Sequence, residues 1–599
     1  MEARATYLEG KLARERDANA LEARARLIGM ARLVVAFAAI GGVGGIVWGG
    51  LPAATWYGIG LLVVAFVALI VVHARVHAAK DRAVAARRFH ERGLDRLDGR
   101  WNKFPSNGER FARDGHLFSD DLDIFGRASL FQLLDATETR LGAERLAALV
   151  SHEGDEPLAA VIARQEAVKD LSTRVQFRER LSALGATLAD EKPDPIPFLT
   201  WAESAGGLGG VPGLPILAKL VPFVTMGLFF FAADLGRPRA LALVPLAVGL
   251  ALVGSVRARV SQITSAVSAR EHGFARYGEM LALLEKEAFT APLLEGLRAK
   301  LRASGADATR EMERLSRILG FLDARNNEVF RIFIAPVLMW DYNCALALEA
   351  WRARAGNHVR PWLLAIAEIE ALASLAGFAF DRPDHTFPEL ADAPQLVAEA
   401  LAHPLIAEGK RVANDVTIVG PGHGLVVTGS NMSGKSTLLR AIGTACVLAR
   451  AGAPVCAKRL VLGRVRVATS MRVRDSLEEG TSRFYAELKK LKLVLACARE
   501  APTLFLLDEI LHGTNSRERL IGARAILREL LARGALGAVS THDLALGDLE
   551  EEAPGKVRNV HLQEQVEGDV MTFDYKLRDG VVQSSNALRL MRIVGLDVV

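Results

Sequence analysis

The sequence predicts two structural parts in series: an all-α part with transmembrane helical hairpins, followed at the carboxyl end by an α/β domain. Residues 33–72 include no charged side chain. Residues 76–200 and 260–380 place apolar positions at the helical spacings of three and four. From Val412 onward, short apolar runs alternate with helical stretches, which is typical of a mostly parallel sheet with covering helices.

Bulk composition limits the functional classes. The 599 residues suffice for several domains. A hydrophobic fraction of 50 % and a mean hydropathy of +0.19 are high for a soluble protein of this size. The net charge of +5, from 74 basic and 69 acidic residues, neither requires nor excludes a polyanionic partner. The four cysteines lack a C-x-x-C spacing, which argues against a disulfide framework or a zinc site and favours core thiols in a reducing compartment: Cys344, Cys446, Cys456 and Cys497.

The uncharged run 33–72 predicts a transmembrane hairpin, because its 40 positions suffice for two crossings of about 20 residues each. Residues 49–55 supply a turn, and Trp48, Trp56 and Tyr57 lie where an aromatic belt is expected. A buried hairpin in a soluble core is the alternative, although such helices normally carry a polar face. Basic residues on both flanks predict that both ends lie in the cytoplasm: Arg24, Arg26, Arg32, Arg75, Lys80, Arg82, Arg87 and Arg88.

A second apolar pair is shorter. Residues 220–233 offer 14 uncharged positions and residues 240–256 offer 17. Either they span the membrane or they form an interfacial or buried hairpin. We therefore expect a multi-pass membrane protein, of the bacterial inner-membrane kind, with six regions: a cytoplasmic amino-terminal helix (1–30), a transmembrane hairpin (31–75), a first helical core part (76–210), the second apolar hairpin (211–257), a second core and lever part (258–380) and the α/β domain (381–599).

The most informative segment is 428–437, which reads TGSNMSGKST and fits the spacing G-x-x-x-x-G-K-[ST]. An apolar strand precedes it and an amphipathic helix, 438–450, follows. Such a loop surrounds a polyphosphate with backbone N–H groups, and the helix N-terminus attracts its charge. Lys435 is expected to neutralise the β and γ phosphates and Ser436 to ligate Mg²⁺. The expected nucleotide-binding residues are Gly429, Ser430, Asn431, Met432, Ser433, Gly434, Lys435, Ser436 and Thr437.

Hydrolysis needs a second metal ligand and a group that orients water. The apolar run 504–507 is followed by two adjacent carboxylates, Asp508 and Glu509. We expect Asp508 to hold Mg²⁺ and Glu509 to polarise the attacking water as the catalytic residue. His542 ends another predicted strand, where it could sense the γ-phosphate as a second catalytic residue.

The segment 428–440, TGSNMSGKSTLLR, resembles the MutS family of mismatch-repair ATPases. Other segments are similar to that family in the same order. They are 403–406 and 414–418 before the ATPase domain, 475–488 at the signature loop, 507–515 (LDEILHGTN) at the Walker B and D-loop, and 559–561, 572–577 and 580–581 in the closing strands. Upstream, 121–126 looks like the start of the family's helical core.

The resemblance implies an ABC-like P-loop NTPase domain of the MutS type, preceded by an all-α core and lever domain. ATP and Mg²⁺ are then the expected cofactors. In the family two ATPase domains face each other, so the resemblance implies a homodimer in which Ser482, with Gly480, contacts the γ-phosphate bound at Lys435 of the other chain. The chain departs from the pattern before residue 121, where a hairpin replaces the mismatch-reading and connector domains, and at Leu511-His512, which replaces a small and basic pair.

Three functions remain open on the sequence. The first is a membrane-anchored MutS-like ATPase that binds DNA without reading mismatches, and the second is a non-DNA ATPase that rearranges membrane hairpins or a protein partner. A transporter is the third, disfavoured because the hairpins contain few ionisable residues. Basic residues on core helices could contact DNA phosphates, but acids are interleaved with them: Arg298, Lys300, Arg302, Arg310 and Arg314.

Overall fold

The computed structural model describes residues 2–52, 54–186, 194–204, 208, 213–231, 236, 238–268, 271–303, 307–430, 432–472, 483–512, 514–567 and 570–582. Its helices are α1 Glu2–Val47, α2 Thr55–Leu97, α3 Leu130–Leu134, α4 Arg140–Val150, α5 Leu158–Thr173, α6 Val175–Ala186, α7 Ile196–Glu203, α8 Leu214–Phe231, α9 Leu243–Ser255, α10 Arg257–Ser268, α11 Glu271–Lys286, α12 Pro292–Ala303, α13 Ala308–Asp323, α14 Trp340–Asp381, α15 Lys435–Ala451, α16 Arg483–Glu500, α17 Ser516–Ala532 and α18 Leu549–Glu552. Its strands are β1 Glu389–Ala391, β2 Gln395–Leu401, β3 Asn414–Val419, β4 Gly424–Thr428, β5 Arg459–Gly463, β6 Arg466–Ser470, β7 Thr503–Asp508, β8 Leu536–Thr541, β9 Val557–Glu567 and β10 Val570–Asp579.

Helices α1 and α2 form a hairpin of 46 and 43 residues. At 1.5 Å per residue each helix is about 65–70 Å long. The turn between them coincides with the predicted segment, where Gly50 has a left-handed φ of 69° and Pro52 cannot continue α1. Helix α1 runs without a break through residue 30, so the amino-terminal segment and the first apolar segment are one helix.

Four described helices are long and apolar enough to cross a membrane, namely α1, α2, α8 and α14. The most apolar window is 0 % buried in α1, 11 % in α2 and 28 % in α8, but 72 % in α14. Helix α14 is therefore the central helix of the protein interior, and its Trp351 and Trp362 are fully buried. Helices α9 and α10 are bent by 68° at a short break.

The free ends of the hairpin are joined to the end of α14 by buried polar contacts. The Tyr7 hydroxyl of α1 donates to Asp381 Oδ1 at 2.7 Å, and Arg96 Nε of α2 donates to Asp381 Oδ2 at 2.5 Å. All three side chains are buried. Burial and the neighbouring Asp381 carboxylate raise the pKa of Tyr7 to about 12, so the phenol keeps its proton. We refer to this group as the Asp381 joint.

The carboxyl-terminal domain is α/β, as predicted. Its larger sheet has the strand order β10-β9-β4-β8-β7-β6, in which all neighbouring pairs are parallel except β9 with β10. A second sheet, β1-β5-β2-β3, is mostly antiparallel and was not predicted. The apolar run 416–419, expected among the parallel strands, lies in β3 of this second sheet. Its alternating exposure, with Val416 and Ile418 buried, is that of a strand covered on one face.

The helical part and the α/β domain share one apolar core, with α15 between the large sheet and helices α4 and α5. Asp121 adds a buried polar connection between them. Its carboxylate accepts from the Thr469 hydroxyl at 2.7 Å, the Arg472 N–H at 2.8 Å and Lys490 Nζ at 2.9 Å. The segment around Asp121 is thereby attached to the end of β6 and to α16.

We predict that Asp381→Asn destabilises the protein by about 3–5 kcal/mol, because Arg96 would keep its charge in a buried site without a carboxylate. The apparent Tm of the detergent-solubilised protein, followed by intrinsic fluorescence, should fall by several degrees. The control is Glu279→Gln, which removes an exposed partner of Arg82 near the same end of the hairpin and should change the Tm little. Equal Tm values for the two variants would contradict a structural role for the joint.

Candidate functional site

The glycine-rich loop lies between β4 and α15, as expected for a phosphate-binding turn. Strand β4 is buried along its whole length between β8 and β9. Gly429 has φ 149°, and a Cβ there would lie 2.5 Å from the Leu562 carbonyl oxygen. Gly434 has φ 100°, and a Cβ there would lie 3.0 Å from the Tyr575 ring. Both positions therefore require glycine.

The donors around this loop suit an anionic ligand. Lys435 is buried, and its Nζ donates to the carbonyl oxygens of Gly429 and Ser430, each at 2.8 Å. The Ser433 hydroxyl is buried without a hydrogen-bond partner among the described residues. The residue before α15 is Gly434, which has no side chain to cap the first turn. A phosphate group would satisfy these donors and the unpaired N–H groups at the helix N-terminus.

A cavity of about 580 Å³ opens beside the loop. This volume is in the range of small-molecule sites. Six predicted nucleotide-binding residues line it together with both predicted carboxylates: Ser430, Met432, Gly434, Lys435, Ser436, Thr437, Asp508 and Glu509. The opposite wall comes from segments on the second sheet and the closing strands, including His403, Lys410, Arg411, Asn414 and Tyr575.

The two carboxylates occupy the carboxyl end of β7. Asp508 accepts a hydrogen bond from the Ser540 hydroxyl of the neighbouring strand β8, and the Glu509 N–H donates to the Ser540 carbonyl oxygen at 3.1 Å. Glu509 has a left-handed φ of 45°, which turns its side chain away from the strand direction. Asp508 and Ser436 line the same cavity and are both oxygen ligands, so this pair fits Mg²⁺.

Glu509 is surrounded by three groups that can carry positive charge. Its Oε2 lies 2.9 Å from His512 Nε2, and its Oε1 lies 3.5 Å from Lys435 Nζ and 3.7 Å from His542 Nδ1. Burial works to raise the pKa of Glu509, but the hydrogen bond with His512 and the charge of Lys435 outweigh it and hold that pKa below its usual value. The carboxylate is therefore ionised at neutral pH.

The sequence prediction and the structure overlap in most, but not all, of these residues. Gly429 contacts Lys435 through its carbonyl, and the Ser433 hydroxyl lies close to Gly429 within the loop. His542 contacts Glu509 and does not line the large cavity. Asn431 and Ser482 lie outside the described residues. His512 was noted only as a departure from a family pattern, and that departure was the available signal for its contact with Glu509.

His403 and Tyr575 are further wall residues to which the sequence assigned no role. His403 is buried, and its Nδ1 accepts from the Leu405 N–H at 3.3 Å. Burial and the nearby charge of Arg440 lower the pKa of His403 to about 4, so its ring is neutral at physiological pH. Its Nε2 has no hydrogen-bond partner among the described residues and can act as a donor in the cavity wall.

The fold and site define a helical protein whose carboxyl-terminal α/β mixed-sheet domain holds a glycine-rich loop and paired carboxylates in one cavity. The family model for MutS domain V matches residues 425–598. The DNA mismatch repair proteins MutS of Thermotoga maritima and Thermotoga petrophila are each 32 % identical over 234 residues, which is 39 % of this chain and 29 % of each relative. MutS of Thermotoga neapolitana is 35 % identical over 227 residues, 37 % of this chain and 27 % of the relative.

Residues 425–598 are thus similar to domain V of the MutS family. The matched stretch covers less than a third of the length of these relatives. The described helices α1 to α14 all lie before the stretch that the family model matches.

Proposed function

We propose that this protein is a membrane-attached P-loop ATPase of the MutS type, in which ATP binding and hydrolysis move helices that are attached to the bilayer. The observation that carries the proposal is the convergence of Lys435, Ser436, Asp508 and Glu509 on one cavity beside the glycine-rich loop. The similarity to DNA mismatch repair proteins supports an ATP-dependent nucleic-acid function as the second candidate.

Each group of residues in the cavity has a separate role in the proposed binding and hydrolysis of ATP. The loop N–H groups and Lys435 hold the β and γ phosphates, for which Lys435 exchanges its two carbonyl contacts. Ser436 and Asp508 would hold Mg²⁺, which would neutralise charge on the phosphates. Glu509, ionised and next to the loop lysine, orients a water molecule for in-line attack on the γ-phosphorus and accepts its proton. As the new P–O bond forms, the bond from the γ-phosphorus to the ADP oxygen breaks and ADP leaves.

A dimer would complete this site. Met432 lies in the loop with φ 77° and is 84 % exposed, an unusual position for a large apolar side chain. A partner domain placed over the loop would cover Met432 and bring its Ser482 to the γ-phosphate. ATP would then bridge donor groups of two chains, and its hydrolysis would release them, which is a two-state element biased by the nucleotide.

The exposed faces of the hairpin support membrane attachment. Within the run 33–72 many large side chains are exposed along both helices. Leu33, Phe37, Ile40, Leu61 and Val64 are each 60–72 % exposed. Such an apolar surface on two adjacent helices is costly in water and is satisfied by lipid chains. Because the flanks are basic, both helix ends and the α/β domain are then cytoplasmic.

A second apolar surface supports the same arrangement. It consists of α8, α9 and the segment 329–340 between α13 and α14, which the sequence assigned to the helical lever. Asn343 at the start of α14 connects the parts, because its Nδ2 donates to the Ala218 carbonyl oxygen of α8 at 3.4 Å and to the Leu338 carbonyl oxygen at 3.0 Å. Phe223 of α8 is 74 % exposed and Phe333 is 69 % exposed. Residues 332–340 are uncharged but too few to cross a bilayer, so we assign this segment to the interface.

Contacts on α12 and α13 weigh against these helices as a DNA-binding surface. Arg310 pairs with Asp307 at 3.1 Å, and Arg314 pairs with Glu311 at 2.9 Å. Arg298 Nη1 donates to the Glu287 carbonyl oxygen at 2.8 Å. These guanidinium groups already have partners, so few counterions would be released when a phosphate backbone binds here. This observation favours the proposal that ATP hydrolysis moves helices attached to the bilayer over the proposal that the protein acts on DNA.

Glu509→Gln should lower the ATP turnover rate by about 10²–10⁴-fold, because the amide cannot act as the base that orients water. The variant should still bind ATP and accumulate as a dimer, measured by light scattering with ATP and Mg²⁺. The matched control is Lys435→Ala, which should lose ATP binding and therefore also the ATP-dependent dimer. Normal turnover by Glu509→Gln would show that another carboxylate is the base.

Cysteine labelling in intact bacterial cells tests the hairpin topology. The described native cysteines are buried. Trp48→Cys, at an 87 % exposed turn position, should react with a membrane-impermeant maleimide added outside. Arg26→Cys, on the same helix before the apolar run, should react only after the cells are lysed. Labelling of both or of neither position in intact cells would contradict a membrane-crossing hairpin.

Duplex DNA should change the ATP turnover rate of the purified protein in lipid nanodiscs by less than about twofold. Arg298, Arg310 and Arg314 already have partners within the protein, so DNA binding should be no stronger than the non-specific range of about 10⁻⁴–10⁻⁶ M. Turnover and fluorescence anisotropy of labelled DNA are measured at two salt concentrations. Stimulation of several-fold, lost at high salt, would make DNA the partner and the second candidate the correct function.

A further inference from the structure

Two histidines meet Glu509 at the end of the large sheet. Glu509 follows β7, His542 follows β8, and His512 lies three residues beyond Glu509. One ligand atom from each residue, a carboxylate oxygen and two ring nitrogens, lies within 4.8 Å of the other two. The two imidazole rings stack with centroids 5.6 Å apart. We refer to these residues as the Glu509 triad.

The backbone holds the triad in place. Strands β7 and β8 are parallel neighbours with Asp508 opposite Ser540, so the sheet fixes the separation of Glu509 and His542. His512 is directed back over Glu509 by two left-handed residues, Glu509 at φ 45° and Leu511 at φ 64°. The Leu511 N–H donates to the buried Glu487 carboxylate, which stabilises this turn. Left-handed residues other than glycine cost about 1–3 kcal/mol each and are retained where surrounding contacts determine them.

A small cavity adjoins the triad. Its volume is about 20 Å³, and Glu509, His512, His542 and Arg519 are among the residues that line it. A volume of about 10–15 Å³ is enough for one water molecule. A single ion with one bound water can therefore be accommodated beside the three ligand atoms after small side-chain movements.

We propose that the Glu509 triad binds a transition-metal cation of the zinc type, at a site distinct from the Mg²⁺ position at Ser436 and Asp508. Two imidazole nitrogens and one carboxylate oxygen are the ligands of many three-residue zinc sites, with a fourth position open to water. Bonds of about 2.0–2.2 Å bring such ligands to about 3.3–3.5 Å from one another. The imidazoles of His512 and His542 are 39 % and 41 % exposed, so their rings can shift by the ångström required.

Two nearby cations determine which metal the triad can hold. Lys435 Nζ lies 3.5 Å from Glu509 Oε1, and Arg519 lines the small cavity. Both repel any divalent ion, so charge attraction alone is insufficient for binding. Zn²⁺ and Co²⁺ gain strong bonds to imidazole, whereas Mg²⁺ and Ca²⁺ prefer oxygen ligands. The site therefore selects the transition metals. The sequence argument against zinc rested on cysteine spacing and did not consider this ligand set.

Metal binding would inhibit hydrolysis. An ion bound to the Glu509 carboxylate and to His542 uses the lone pair that would otherwise accept a hydrogen bond from the attacking water. Zn²⁺ would thus lower ATP turnover while ATP remains bound. This consequence rests on the proposed ATPase function, whereas metal binding itself does not.

Binding is tested with Co²⁺ on the full-length, detergent-solubilised protein without nucleotide or Mg²⁺. Visible absorption reports tetrahedral Co²⁺, and added Zn²⁺ should remove the signal. We expect one Co²⁺ per chain. His512→Asn can still donate a hydrogen bond to Glu509 but lacks the imidazole, and should weaken binding by more than about tenfold. The matched control is His423→Ala, in the turn before the other end of β4, which should bind Co²⁺ like the wild type.

No Co²⁺ signal from the wild type, or equal signals from the wild type and His512→Asn, would overturn the metal site. The inhibitory role is tested by adding Zn²⁺ to the ATPase assay, where half-inhibition should need more than about tenfold more Zn²⁺ for His512→Asn. Co²⁺ binding without inhibition by Zn²⁺ would overturn the inhibitory role. A wild type that binds Co²⁺ but has no ATPase activity would overturn the proposed function and leave the metal site supported.

Discussion

The proposed transmission of motion from α14 to the hairpin depends on the Asp381 joint. This joint brings together the first turns of α1, the last turn of α2 and the last residue of α14. An ion pair between Arg96 and Asp381 out of water gains little net free energy, because desolvation of both charges offsets their attraction. Its consequence is specificity: a rearrangement that separated α14 from the hairpin would leave both buried charges unpaired, which is strongly unfavourable. The hairpin must follow the end of α14.

A second connection, at Asp121, joins the helical part to the α/β domain. Asp121 accepts hydrogen bonds from residues at the end of β6 and from Lys490 of α16. Arg472 is the last described residue before 473–482, the segment in which the family resemblance places the signature loop. In the proposed mechanism, a change in that segment on nucleotide binding would reach Asp121 through Arg472, whose N–H donates to the Asp121 carboxylate. Asp121 thus attaches the helical part to the α/β domain, and the Asp381 joint attaches α14 to the hairpin.

The features that the sequence predicted are those that depend on residues close together in the chain. The loop 428–437, the carboxylates after β7 and the hairpin turn each depend on residues within about ten positions of one another. The two connections could not be predicted this way, because Asp121 and Thr469 are 348 positions apart and Tyr7 and Asp381 are 374 apart. The contact between His512 and Glu509 is local, yet it depends on two left-handed residues, Glu509 and Leu511, that no propensity favours.

The lengths of the two hairpin helices are consistent with the proposal that ATP hydrolysis moves helices attached to the bilayer. From Tyr7 at the joint to Leu33 there are 26 residues along α1, and from Val72 to Arg96 there are 24 along α2. At 1.5 Å per residue these distances are about 39 Å and 36 Å, so both helices would enter the proposed bilayer at the same height above the joint. A helix pair of this length amplifies motion: a rotation of about 5° at Asp381 moves the bilayer end by about 3 Å. Reversing a two-state equilibrium from 1:99 to 99:1 needs about 5.5 kcal/mol, which two to four charged hydrogen bonds to a triphosphate can supply.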